Sequence, residues 1–139
     1  MINLFIDAGW ASIGYCVYDK GVRGDYGEFH YSQKDRIERL HSISKDLHKL
    51  IKASGAESVF CEDFKIHGRI GARGQNVLLM IGCLLEIVNG TSIKMSLVNF
   101  SHWKSLWKKI ENKPCLLGIK EHAADAIMMG HALESNECA

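Results

Sequence analysis

The chain has 139 residues, of which 47% are hydrophobic, with a single proline and a formal net charge of +1. This length and composition predict one packed domain over residues 1–139 and exclude a disordered chain, and the small net charge gives no general signal for a polyanionic partner. No charged segment followed by an apolar run opens the sequence, and no apolar run approaches the roughly 20 residues that span a bilayer. We therefore expect a cytoplasmic protein with no membrane partner.

The cysteines are widely scattered and never form a Cys-x-x-Cys pair. They are Cys16, Cys61, Cys83, Cys115 and Cys138. An odd number at such spacing favours reduced thiols over a disulfide framework or a structural zinc site.

The first half of the chain predicts three strands and a helix. Residues 2–7 (INLFID) and 11–18 (ASIGYCVY) are joined by a short turn that contains glycine, and residues 23–31 (RGDYGEFHY) alternate as a strand does. Three strands in succession predict an antiparallel meander. Ser32 and Asp35 then resemble a capping box, and apolar residues recur at helical spacing until Gly55.

The second half predicts strands that alternate with helices. Strands are expected at 57–62 (ESVFCE) and 93–99 (IKMSLVN), separated by the apolar helix 74–88, which suits either the core or a dimer face. A helix over 101–109 places two tryptophans on one core-facing side, and the last helix covers 119–134. The order βββ-α-β-α-β-α-α predicts an α/β fold with a mixed sheet and helices on its faces.

Acidic residues end two of the predicted strands. Asp7 ends the first strand and Glu62 ends the fourth, so the two carboxylates converge if these strands are neighbours that run to the same edge. Asp125 lies near the start of the last helix, with His122 one turn earlier on nearly the same face. Taken alone, Asp7 is also compatible with a turn-forming acid, and His122 with a surface histidine.

Carboxylates gathered at one edge repel one another and raise each other's pKa unless divalent cations neutralise them. Magnesium or manganese suits such oxygen ligands. Gly9 and Gly14 are expected to allow a tight turn and the close approach of a substrate backbone. Asp63 is an alternative to Glu62 as the inward residue, and Glu121 is an alternative to His122.

These segments resemble a known family. Asp7-x-Gly9 with Gly14, then Glu62 in VFCED, then HAADAIMMGHAL, are similar to the three signature segments of the RuvC Holliday-junction resolvases. The resemblance implies an RNase H-like fold, with a mixed five-stranded sheet in the order β1β2β3αβ4αβ5α flanked by helices. The compact chain resembles in particular the phage-encoded members, which would act in the host cytoplasm.

The resemblance also implies a chemistry. Asp7, Glu62, His122 and Asp125 would be catalytic residues that bind two Mg²⁺ ions per active site, with Mn²⁺ as a substitute. In two-metal hydrolysis one ion activates the attacking water and the other stabilises the leaving oxygen, with the ions roughly 3.5–4 Å apart. Cleavage of a phosphodiester with this polarity leaves a 5′ phosphate and a 3′ hydroxyl.

The implied partners are branched DNA and a second copy of the chain, because a two-fold homodimer would present two sites to opposite strands of a four-way junction. Basic clusters would contact phosphates without reading sequence, and an exposed aromatic ring would stack on unpaired bases. The DNA-binding candidates are Phe64, Lys65, His67, Arg69, Arg73, Lys104, Lys108 and Lys109. The first basic cluster is also compatible with an ordinary solvated loop. The basic residue that assists catalysis in the family is left open between Lys104 and Lys108.

Other functions suit the same motifs. An acidic centre on this fold is compatible with a ribonuclease that cuts RNA–DNA hybrids or structured RNA, and also with a non-catalytic junction-binding protein. The Asp-x-Gly turn also occurs in actin-like ATPases and sugar kinases. Those proteins pair two copies of the fold, for which 139 residues are too few.

Overall fold

The structure, a computed structural model, describes residues 1–63 and 71–137. Strands and helices follow one another in the predicted order. The strands are β1 (Ile2–Asp7), β2 (Ser12–Asp19), β3 (Val22–His30), β4 (Ser58–Glu62) and β5 (Lys94–Val98). The helices are α1 (Arg36–Ser54), α2 (Ala72–Val88), α3 (Phe100–Lys108) and α4 (Glu121–Glu137).

The strands form one mixed sheet in the spatial order β3-β2-β1-β4-β5. The first three strands pair antiparallel, whereas β1, β4 and β5 run parallel to one another. The predicted meander and the mixed five-stranded sheet are therefore confirmed. Because β1 and β4 are parallel neighbours, Asp7 and Glu62 lie at the same edge of the sheet, as their positions in the sequence predict.

Helices cover both faces of the sheet. Leu4 and Ile6 of β1 pack with buried side chains of α1 and α2, whereas Phe5 packs with those of α3 and α4. Side chains alternate along a strand, so Asp7 points to the same face as Phe5. The end of β1 therefore presents its carboxylate to the layer that contains α3 and α4.

The ends of α1 follow from its sequence. Asp35 is the N-cap residue, and its carboxylate accepts a hydrogen bond of 2.9 Å from the backbone N–H of Glu38. The predicted capping box between Ser32 and Asp35 is therefore wrong, since Asp35 itself takes the position that the prediction gave to Ser32. Gly55 ends the helix with a φ of 65°, as expected for a left-handed C-cap.

Glycines allow α4 to lie close to the sheet. A Cβ at Gly14 of β2 would overlap the backbone carbonyl of His122, and one at Gly130 of α4 would overlap the ring of Tyr18. The close approach at Gly14 is thus to the protein's own helix, which corrects the expectation that it accommodates a substrate backbone. A Cβ at Gly9 would overlap the carbonyl of Ser12, so the predicted tight turn there is confirmed.

Two expectations from composition concern membrane-spanning segments and disulfide bonds. Within residues 1–63 and 71–137, no helix combines the length and the apolar character needed to cross a membrane. The cysteines of the same residues are unpaired; they are Cys16, Cys61, Cys83 and Cys115.

Candidate active site

Asp7 and His122 form the centre of the site. The Nδ1 atom of His122, on the first turn of α4, lies 2.8 Å from Oδ2 of Asp7, whose side chain is only 14% exposed. Burial raises the pKa of Asp7 and outweighs the opposing effect of the His122 hydrogen bond, while the charge of Asp125 raises it further. Burial lowers the pKa of His122, but the contact with Asp7 and nearby carboxylates raise it above its ordinary value. The predicted proximity of the β1 end and the α4 start is therefore observed.

Glu62 lies beside this pair at the end of β4. Its pKa is raised to about 7, first by burial and then by the negative charges of Asp7 and Asp125. Asp63, the alternative that the sequence leaves open, is exposed after the strand ends. The phase of β4 thus directs Glu62, rather than Asp63, toward Asp7.

Asp125 completes the acidic group from the second turn of α4. Burial raises its pKa, and the charge of Glu121 raises it further, whereas Lys104 and His122 lower it. Glu121 is exposed and acts on the site through its charge. The structure therefore places His122, and not Glu121, against Asp7.

Helix α3 supplies an aromatic wall and a cation. Trp103 is fully buried, and its indole N–H, which has no hydrogen-bond partner among the described residues, approaches Glu62 and lowers the pKa of that carboxyl. Nζ of Lys104 lies 4.7 Å from the Trp103 ring centroid and 5.2 Å from that of Phe100. Sequence patterns indicate a core role for Trp103, which is confirmed, but they do not indicate that Trp103 lies beside Glu62.

Lys104 is distinguished from the other lysines of α3 by its position. Its charge lowers the pKa of both Glu62 and Asp125, whereas Lys108 and Lys109 are exposed at the far end of the helix. Of Lys104 and Lys108, between which the sequence leaves the choice open, Lys104 is therefore the lysine beside the acidic group.

The donor set suits a hard cation. Within residues 1–63 and 71–137, no three His, Cys, Asp or Glu side chains lie close enough together to form a ready-made metal cage. Magnesium usually retains several waters and binds through one or two carboxylates together with substrate phosphates, so it does not need such a cage. Asp7, Glu62 and Asp125 are partly buried acids. Asp125 raises the pKa of Asp7, and both raise the pKa of Glu62, so this donor set fits a hydrated magnesium ion.

A cleft opens beside His122. It has a volume of about 530 Å³ and lies between the β1–β2 turn and α2. Its walls include Gly9, Trp10 and Asn76. His122 is thus the member of the site that lines this concave surface, which is the usual setting of an active site.

Several predicted DNA-binding residues lie outside the described residues. These are Phe64, Lys65, His67 and Arg69, together with the side chain of Arg73. Their roles stay predictions.

Glu28 of β3 is a residue of this site that the sequence patterns do not single out. Its carboxylate accepts hydrogen bonds from the backbone N–H groups of His122 and Ala123. The one available signal is that strand alternation puts this charged residue on the same face of β3 as Tyr26 and His30.

No protein-family model matches the sequence, and the search of the curated proteins finds no match. Solved structures do match. Thermus thermophilus RuvC in complex with a Holliday junction substrate is 15% identical, with a TM-score of 0.80 over 100% of this chain and 96% of that chain. A second structure of Thermus thermophilus RuvC is 19% identical, with a TM-score of 0.73 over 99% and 97% of the two chains. The yeast mitochondrial Holliday junction resolvase is 16% identical, with a TM-score of 0.64 over 97% of this chain and 79% of that one. The chain therefore has the RNase H-like fold of the RuvC-type resolvases.

Proposed function

We propose that this protein is a magnesium-dependent endonuclease that resolves four-way (Holliday) and related branched DNA junctions. The observation that carries the proposal is the meeting of Asp7, Glu62, His122 and Asp125 at one sheet edge, where Asp125 raises the pKa of Asp7 and both acids raise that of Glu62. Such perturbed pKa values are typical of functional sites. The fold shared with resolvases supports the choice of junctions among the substrates of nucleases.

In this proposal Asp7, Glu62 and Asp125 hold the metal, with two Mg²⁺ ions per site and Mn²⁺ as a substitute. When bound, the metal supplies Lewis acidity and charge neutralisation for phosphodiester hydrolysis, which leaves a 5′ phosphate and a 3′ hydroxyl. Because Nδ1 of His122 is engaged with Asp7, its Nε2 is the ring nitrogen available to exchange a proton with water.

The residues of α3 complete the proposed centre. Lys104 brings a fixed positive charge beside Glu62 and Asp125, where it would attract the scissile phosphate. Lys108 and Lys109 are exposed on the same helix and are proposed to contact flanking phosphates. Phe64, Lys65, His67, Arg69 and Arg73 are proposed as further DNA contacts on the sequence alone. The neighbour from Thermus thermophilus is bound to a Holliday junction, which supports branched DNA as the partner of this chain.

We also propose a homodimer through α2. Leu78, Leu79 and Leu85 are 36%, 39% and 48% exposed, although Leu84 on the other side of the helix is fully buried. The first two line a groove of about 610 Å³ together with Gly82. A second copy of the same face would cover these leucines, and a two-fold pair would present two sites to a four-way junction.

The test is a cleavage assay with a labelled four-way DNA junction, a linear duplex and an RNA–DNA hybrid, each with magnesium and with chelator. The proposal predicts symmetric, magnesium-dependent nicks in the junction alone. Cleavage of the hybrid instead would contradict junction resolution and indicate a ribonuclease that uses the same acidic centre. Junction binding without any cut would contradict catalysis and favour a junction-binding protein.

A further inference from the structure

Asp7, Gly14 and Glu28 form one row across three adjacent strands. In the sheet register Asp7 of β1 pairs with Gly14 of β2, and Gly14 pairs with Glu28 of β3. The first turn of α4 lies over the middle of this row, because a Cβ at Gly14 would overlap the carbonyl of His122. The first turn of α4 therefore packs on this row, with the carboxylates of Asp7 and Glu28 on either side of Gly14.

The two carboxylates hold the turn in different ways. Asp7 contacts the imidazole of His122, whereas Oε2 of Glu28 accepts backbone hydrogen bonds of 2.8 Å from His122 and 3.0 Å from Ala123. The first N–H groups of a helix have no partner within the helix, and a negative charge is favourable at that end. Glu28 thus takes the role of a capping residue from another strand.

Glu28 is itself held in place. Its side chain is only 4% exposed, and its Oε1 lies 3.5 Å from Nε2 of His30 on the same strand. Oγ of Ser12 lies 3.0 Å from Nδ1 of the same ring. The carboxylate of Glu28 therefore has its Oε2 on the two backbone N–H groups of α4 and its Oε1 beside His30.

We infer that Glu28 is a positioning residue for the acidic centre: it fixes the first turn of α4 so that His122 reaches Asp7 and Asp125 faces Glu62. This inference rests on the proposed nuclease function for its effect on rate, but its structural part stands on the hydrogen bonds alone. A shift of about 1 Å in a reacting group can reduce a rate roughly 100-fold, so a fixed helix start matters for catalysis.

A matched control exists at the other end of the sheet. The exposed carboxylate of Glu57 accepts a hydrogen bond of 2.9 Å from the backbone N–H of Ile2, at the opposite end of β1 and β4 from the acidic centre. Glu57→Ala therefore removes another hydrogen bond from a backbone N–H to a carboxylate without touching the start of α4. It separates the general effect of losing such a contact from an effect on the site.

The experiment compares wild type with Glu28→Ala, Glu28→Gln and Glu57→Ala. Amide hydrogen exchange at His122 and Ala123 measures how firmly Glu28 fixes the first turn of α4. Single-turnover cleavage and junction affinity measure the effect of Glu28 on the acidic centre. Glu28→Ala should speed exchange of these amides roughly 10- to 100-fold, and it should slow cleavage by a similar factor with affinity unchanged. Glu28→Gln keeps an accepting oxygen and should restore most of the amide protection and most of the cleavage rate. Glu57→Ala should alter neither the exchange of these amides nor the cleavage rate.

Unchanged exchange in Glu28→Ala would overturn the inference, and so would a normal cleavage rate in that variant or an equal loss of rate in Glu57→Ala. If wild type cuts no junction, the proposed function fails by itself. The exchange rates of His122 and Ala123 then still decide whether Glu28 holds the turn.

Discussion

At the scale of single residues, the surroundings of Glu62 strongly raise the pKa of its carboxyl. Its ordinary pKa of 4.5 rises to about 7 in the folded chain because burial and two neighbouring acids disfavour its charge. The folded protein therefore binds this proton more tightly than the unfolded chain does. The resulting contribution to stability is fully present below pH 4.5 and is lost as the pH rises through about 7.

This linkage predicts the effect of Glu62→Gln on the metal-free protein. At pH 8 the variant lacks the unfavourable charge and should be more stable than wild type by about 1 kcal/mol, a value reduced for solvent screening. At pH 4.5 the two should be nearly equal, because the wild-type carboxyl is then protonated. Denaturant unfolding at both pH values in chelator measures the difference, with the exposed Asp63→Asn as control. A variant less stable than wild type at pH 8 would contradict the account.

The sequence is sufficient to predict that Asp7 and Glu62 end strands and that His122 and Asp125 share a helix face, because these are local patterns. That the helix meets the strand ends is implied only by the resemblance to the RuvC resolvases. It cannot rank Lys104 above Lys108, since that depends on where α3 crosses the sheet. The role of Glu28 is also tertiary, because it depends on the distance between β3 and α4.

At the scale of elements, the docking of α4 on the sheet depends on Gly14. The substitution Gly14→Ala places a Cβ against the backbone carbonyl of His122, which cannot move without the whole helix. We expect a loss of unfolding free energy of about 1–3 kcal/mol, as for overpacked cores. Urea unfolding measures it.

Gly24→Ala on β3 is the matched control, since its Cβ would meet only Val17 at ordinary contact distance. Its effect should stay within about 0.5 kcal/mol. Equal stability of the Gly14 and Gly24 variants would show that α4 does not need this close approach.

The order and type of all the elements could be predicted from hydrophobic periodicity, and so could the bounds of β1 and the end of α1, but the starts of α1 and α4 could not. The final helix begins at Glu121 rather than at residue 119, and the cap of α1 is Asp35 rather than Ser32. At the start of α1, Ser32 and Asp35 compete for the cap, and only the path of the chain selects one.

At the scale of the whole molecule, the exposed leucines of α2 predict the assembly. Leu79→Lys puts a charge in the groove that a second copy would cover, so we expect a shift from dimer to monomer in light scattering after size-exclusion chromatography. Leu117→Lys, at a leucine that is 92% exposed outside α2, should leave the dimer intact. A monomeric wild type, or a Leu79→Lys variant that remains dimeric, would contradict the proposal that this face of α2 is the dimer interface.

The mixed sheet with helices on both faces follows from the order of predicted elements, because short connections and strand pairing leave few topologies. Whether the apolar side of α2 is core or interface does not follow, because an apolar helix is compatible with both. In the structure, part of this helix is core and part is exposed: Leu84 is buried, and Leu85 next to it is 48% exposed.

The most direct test of the central claim is single-turnover cleavage of a four-way DNA junction by wild type, Asp7→Asn and Asp63→Asn. Asp7→Asn removes a carboxylate at nearly constant shape, so it should reduce the rate by more than about 100-fold, the upper limit for losing an outer partner of a metal site. It should bind the junction as wild type does, and Asp63→Asn, an exposed acid outside the acidic group, should cut normally. Full cleavage by Asp7→Asn would contradict the assignment of this sheet edge as the nuclease centre.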